Sequence, residues 1–111
     1  MSYAINGYEK KSNAISKEMA NFLYNYLLLK KEVASVLIEE SNLFGNWDDL
    51  QVPNTYSHYA DIAMETLLAK MLPIVEKIVG TKLLPQYTFL RIYKKGDILK
   101  LHKDRPSCEI S

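Results

Sequence analysis

From Ser16 onward, apolar side chains recur at helical spacing. Met19, Phe22, Leu23, Tyr26, Leu27, Val33, Ala34 and Leu37 fall at i, i+3 and i+4 steps. This pattern predicts an amphipathic helix with Ser16 as its N-cap and Glu18 in its first turn. Leu28 and Leu29 fall off the stripe and call for a second buried face or for contact with another surface. Met64, Leu67, Leu68, Met71, Leu72, Val75, Ile78 and Val79 form a second stripe and predict a helix from about Ser57 to Val79. Asp61, Glu65, Lys70, Glu76 and Lys77 sit largely on its other side. Pro73 is expected to kink or split that helix, and Gly80 to end it. Residues 41–59 read as a long loop rich in Asn, Gly, Asp and Pro, and residues 1–15 as an extended stretch with a possible short edge strand.

After Leu84-Pro85 the period changes to two. In "QYTFLRIY", Tyr87, Phe89, Arg91 and Tyr93 share one face of a strand, and Thr88, Leu90 and Ile92 share the other. "KKGD" reads as a hairpin turn in which Gly96 takes positive φ. "ILKLHKD" reads as a second strand with Ile98, Lys100, His102 and Asp104 on one face, and "CEIS" as the opening of a third.

Composition narrows the class. The chain has 111 residues, is 48% hydrophobic and 24% charged, and carries a net charge of +1. These values suit one folded domain, or part of one, and give no electrostatic reason to expect a nucleic-acid partner. The lysine pairs Lys10-Lys11, Lys30-Lys31 and Lys94-Lys95 read as solvated surface. A single cysteine, Cys108, excludes an intrachain disulfide and fits a reducing, cytoplasmic setting. The N-terminal stretch is not that of a signal peptide, and the apolar run "YLLL" is too short to span a bilayer, so no membrane partner is expected.

The chemistry concentrates at the end of the chain. Two residues along a strand return a side chain to the same face, so His102 and Asp104 could converge on one metal ion. One imidazole nitrogen and one carboxylate oxygen suit Fe(II) in a facial triad, whose third ligand would be a second His from a distant strand. The plainer reading of the same triplet is a strand end at the surface, with Asp104 accepting hydrogen bonds in a turn before Pro106. The sequence holds no Gly-rich phosphate loop, Cys-x-x-Cys pair or G-x-S-x-G elbow.

The segment "LPQYTFLRIYKKGDILKLHKDRPSCEIS" resembles the first half of the catalytic core of the Fe(II)/2-oxoglutarate-dependent dioxygenases, in their prolyl 4-hydroxylase-like branch. An Arg-x-Tyr strand, a Gly-containing turn and a strand ending His-x-Asp carry the likeness. The upstream stretch from Trp47 to Pro85 is similar to the helical lead-in of small bacterial and phage-type members. The resemblance implies an α+β fold, with N-terminal helices (residues 1–84) packed on the first strands of a double-stranded β-helix, or jelly-roll (residues 85–111). It implies His102 and Asp104 as iron ligands and Tyr93 as a hydrogen-bond partner of 2-oxoglutarate, although Tyr93 reads equally well as a wall aromatic. It further implies Fe(II), 2-oxoglutarate and O₂, with ascorbate as a further cofactor, acting on a peptide or small-molecule substrate.

The family pattern also needs a distal His and a following Arg or Lys that anchors 2-oxoglutarate. Neither is found after Asp104, so the chain reads as an N-terminal fragment, truncated and inactive alone. The alternative is a non-catalytic truncated module that acts in protein–protein association. His58 reads as a capping or buried, hydrogen-bonded residue placed at a helix start, and not as the missing ligand. Arg91 reads as the partner of an acid and Arg105 as surface structure. Cys108 reads as a small core residue, Glu109 as a support for a metal ligand or as solvent-facing, and Trp47 as a cleft wall or as packing on the helices.

Overall fold

The computed structural model describes residues 2–36 and 43–111. Leu37 of the first helical stripe and positions 41–42 of the expected loop lie outside the described residues. Among the described residues the architecture is α+β, with three helices and one two-stranded antiparallel sheet. In chain order these are α1 (Ser2–Asn6), α2 (Lys17–Val36), β1 (Tyr56–Tyr59), α3 (Ile62–Val79) and β2 (Phe89–Ile92). None of these helices is long and apolar enough to cross a membrane.

α2 begins as the cap predicts, with Ser16 Oγ accepting the Met19 N–H at 3.0 Å. Its inward face carries Ala34 and Leu27 against Tyr56 and Leu90, while Phe22, Leu28 and Leu29 face solvent. Lys30 is buried on that same face, which corrects the reading of Lys30-Lys31 as a solvated pair. Counted along the helix, Lys30 takes the slot between Tyr26-Leu27 and Val33-Ala34 that periodicity reserves for an apolar side chain.

Residues 56–59 are not the start of the second helix but a strand. The run Tyr-Ser-His-Tyr pairs with β2 in the register Tyr56↔Ile92, Ser57↔Arg91, His58↔Leu90 and Tyr59↔Phe89. Aromatic side chains favour the pleated surface, and the complementary strand outweighs helical continuation. Ala60, at φ 58°, then turns the chain into Asp61, which caps α3 by accepting the Met64 N–H at 3.1 Å. α3 continues through Pro73 without splitting and ends at Gly80, whose φ of 88° is the left-handed conformation expected there. The N-terminal stretch is also corrected: residues 2–6 form α1, closed by a bond from the Gly7 N–H to the Tyr3 carbonyl at 2.9 Å. Five residues are too few for periodicity to reveal a helix.

The sheet divides the molecule. In an antiparallel pair, residues opposite one another share a face. Tyr56, His58, Leu90 and Ile92 therefore face the helices, and Ser57, Tyr59, Phe89 and Arg91 face the other way. The expected alternation of β2 is thus observed: Leu90 and Ile92 join the core, and Phe89 and Arg91 line a cleft. The core centres on Tyr56, which is fully buried, with its ring 5.7 Å from that of Trp47 and its hydroxyl donating to the Phe44 carbonyl. Burying a large apolar side chain is worth roughly 1.5–3 kcal/mol, and the carbonyl partner removes the penalty its hydroxyl would otherwise carry. Gly45 makes this packing possible. At φ 108° it is left-handed, and a Cβ there would lie 2.6 Å from the Tyr56 hydroxyl.

The turn at residues 94–97 forms, with Gly96 at φ 92° and the Asp97 N–H bonded to the Lys94 carbonyl at 3.0 Å. Lys94 is committed to this turn and to the Asn54 carbonyl, so it too is more than a solvated charge. The expected strand over residues 98–104 does not form, nor does a third one over residues 108–111. Ile98 and Leu101 stay exposed, so the alternation finds nothing to bury. The chain instead crosses the cleft face, where the Arg105 guanidinium lies over the rings of Tyr87 and Tyr59 at 4.9 and 5.6 Å.

Candidate metal half-site

The outward face of the sheet forms the floor of a cleft of about 670 Å³. Ser57 and Tyr59 come from β1, Phe89 and Arg91 from β2, and Asp49 and Gln51 from the loop before β1. The segment holding His102, Asp104 and Arg105 closes one side.

Arg91 fixes the floor. Its guanidinium donates to Asp49 from Nε at 2.5 Å and from Nη2 at 3.3 Å, to Gln51 Oε1 at 2.8 Å and to the Tyr93 hydroxyl at 3.0 Å. Only 8% of the Arg91 side chain and 3% of Asp49 remain exposed. Burial alone would raise the Asp49 carboxyl; Arg91 and the N–H groups of Gln51 and Val52 outweigh it, leaving the carboxyl below its ordinary value. Burial likewise works against the Arg91 charge, and Asp49 with Tyr93 more than restores it. The expectation that Arg91 partners an acid therefore holds, and four hydrogen bonds tie the guanidinium to the protein.

His102 and Asp104 are brought together, although no strand holds them. His102 Nε2 lies 3.4 Å from Asp104 Oδ1, and the two side chains are 36% and 46% exposed. His102 Nδ1 is 3.1 Å from the Lys100 carbonyl oxygen. A carbonyl can only accept, so this geometry assigns the ring proton to Nδ1. In the neutral ring, Nε2 then presents its lone pair to a carboxylate oxygen. Two electron-rich atoms at that separation call for a cation between them, or for a proton on Nε2. A backbone carbonyl holding the far nitrogen is also the usual support of a metal-bound histidine. On a small octahedral dication with bonds of about 2.1 Å, adjacent ligand atoms lie roughly 3 Å apart, a separation this pair reaches with a small side-chain adjustment. The pair thus fits two adjacent corners of a metal site. Among the described residues no third His, Cys, Asp or Glu completes the group.

The other expected residues lie elsewhere. Tyr93 is half exposed, bonded to Arg91, and does not line the cleft that holds His102 and Asp104. Cys108 and Glu109 line a groove of about 980 Å³ along the apolar stripe of α3, which shares Tyr87, Phe89 and Asp104 with the cleft. Trp47 packs on Tyr56 beneath Lys31. His58 sits on the helix-facing side of β1, in a buried polar cluster with Lys30, Asp61 and Tyr26.

Two features escaped the sequence. Asp49 and Gln51 sit in an irregular loop, where no period indicates which side chain turns inward. The Lys30–Asp61 pair did leave a signal, a lysine within an apolar helical stripe, which marks either a break in the stripe or a buried charge with a partner. No protein-family model matches the chain, and no curated protein or solved structure matches it significantly.

Proposed function

We propose that this chain carries the His-x-Asp half of a mononuclear Fe(II) site belonging to a 2-oxoglutarate-dependent dioxygenase of the prolyl 4-hydroxylase-like branch, with β2 as an opening strand of its jelly-roll. The observation that carries the reading is the facing of His102 Nε2 and Asp104 Oδ1 at 3.4 Å while Lys100 holds the opposite ring nitrogen. The resemblance of residues 84–111 to that family supports it.

Iron bound there with 2-oxoglutarate would supply O₂-driven hydroxylation of a C–H bond in a peptide or small-molecule substrate. The protein's own contribution is positional. Lys100 orients the imidazole, Asp104 adds negative charge, and Arg91, locked by Asp49 and Gln51, keeps the floor rigid. Tyr93, bonded to Arg91 outside the cleft, helps to hold that guanidinium in place. On this reading a further ligand and a co-substrate anchor would be needed beyond His102 and Asp104.

Thermal unfolding with Co(II) as a redox-inert stand-in tests the reading. A ligand that binds only the folded state stabilises it by about 2.7 kcal/mol at a hundredfold excess over its Kd. The midpoint is expected to rise with Co(II), to rise further with 2-oxoglutarate, and to lose both increments in His102→Ala and Asp104→Ala. No rise in the unsubstituted protein would instead favour the non-catalytic association module.

A further inference from the structure

The buried polar cluster on the helix-facing side of the sheet has no part in the cleft. Lys30 of α2 donates both to Asp61 Oδ1, at the N-cap of α3, and to His58 Nδ1 on β1. Tyr26, one turn earlier on α2, donates its hydroxyl to the same Asp61 oxygen at 2.7 Å. His58 Nδ1 is 3.6 Å from Asp61 Oδ1, and its side chain is 13% exposed. Tyr56 lies near enough to feel the Asp61 charge, and its hydroxyl is turned to the Phe44 carbonyl. The residue opposite His58 on β2 is the apolar Leu90.

An ammonium has hydrogens to give and no lone pair. For Lys30 to donate to His58 Nδ1, that nitrogen must be unprotonated, so this geometry requires a neutral imidazole. Protonation would turn an acceptor into a donor and place two cations on one carboxylate in a buried site. One of them must then withdraw. Beyond Lys30, α2 meets this joint through Ala34, the partly buried Leu27 and the Tyr26–Asp61 hydrogen bond. We propose that Lys30, His58 and Asp61 form a pH-sensitive latch, closed while His58 is neutral, which releases α2 from the joint between β1 and α3 when His58 gains a proton.

The release is set by the pH at which His58 itself gains a proton, and histidine is the side chain whose ordinary charge change lies between pH 5 and 8. Asp61 stays ionised throughout it, because Lys30, Tyr26 and the Met64 N–H outweigh burial and keep its carboxyl below the ordinary value. Tyr26 and Tyr56 stay neutral, both pushed up to about 12, chiefly by burial.

The test combines hydrogen exchange of α2 amides with imidazole NMR of the unsubstituted chain between pH 8 and pH 5. With only two histidines in the sequence, His58 is assigned by comparison with His102→Gln. Protection of α2 is expected to fall at least tenfold, with a midpoint that tracks the His58 titration. His58→Gln, which keeps an acceptor and cannot titrate, is expected to show a pH-independent α2 in that range. Titration of His58 with α2 protection unchanged would overturn the latch, and so would loss of protection at a pH where His58 does not titrate. Both readings come from the unsubstituted protein, so they stand even if His58→Gln fails to fold.

Discussion

Lys30 and Asp61 meet inside the protein, one projecting from the middle of α2 and the other capping α3, with 8% and 2% of each residue exposed. The same carboxylate satisfies the Met64 N–H through its second oxygen and the Tyr26 hydroxyl through its first. One side chain therefore both starts a helix and ties another helix to the sheet.

Breaking that pair from one side should cost more than removing it whole. Lys30→Met leaves a buried carboxylate without its cation and is expected to lower stability by about 3–5 kcal/mol. Asp61→Asn strands the ammonium at a comparable cost. The double substitution is expected to be clearly less destabilised than the sum of the two, because the penalty of an uncompensated charge is no longer counted twice. Urea unfolding of the four proteins measures the coupling; strict additivity would mean that the two charges act independently.

The cluster also sets stability limits at both ends of the pH scale. Asp61 has a carboxyl lowered from 3.8 in the folded state, because its hydrogen bonds outweigh the opposing effect of burial. The unfolded chain binds the proton first as pH falls, so this contribution is full above the ordinary carboxylate range and is lost as pH drops through the folded value. Tyr26 and Tyr56 are raised from 10.0 to about 12, so their unfolded forms ionise first and stability falls between those two values. Denaturant midpoints measured across the acid limb should fall less steeply in Asp61→Asn. Tyr26→Phe should soften the alkaline limb.

Gly45 is a steric prediction. A methyl group at this left-handed position would meet the Tyr56 ring at 2.7 Å and the Ser57 carbonyl at 2.8 Å. Gly45→Ala is expected to cost about 1–3 kcal/mol from backbone strain alone, and to disturb the fluorescence of Trp47, which packs on Tyr56. Gly96→Ala is the control. It carries the same strain at φ 92°, but a Cβ there meets nothing within 4 Å, so it should cost less and leave Trp47 unchanged.

Periodicity made the long elements legible. The stripe from Met64 to Val79 appears as α3, and Ser16 and Gly80 act as the caps their residue types suggest. The alternation of Phe89, Leu90, Arg91 and Ile92 separates core from cleft as expected. What failed was short or depended on partners distant in sequence. The run 56–59 is a strand because β2 lies beside it, a fact carried by residues thirty or more positions away. The stretch 98–104 alternates as a strand would, but alternation alone cannot supply a surface to bury, and Leu101 remains fully exposed. His102 and Asp104 were legible as a pair because their spacing is local. The network of Asp49, Gln51 and Arg91 beneath them was not, because it joins a loop to a strand across about forty residues.

The most direct measurement on the half-site is Mn(II) titration of the imidazole resonances. The paramagnetic ion broadens nuclei close to it, and the two histidines stand on opposite faces of the molecule's structure, one in the cleft and one in the helix-facing cluster. Mn(II) held by His102 and Asp104 should broaden His102 at low metal-to-protein ratio, leave His58 sharp, and lose that selectivity in Asp104→Ala. Equal broadening of both rings, or a His102 signal untouched by Mn(II), would contradict the assignment of His102 and Asp104 as metal ligands.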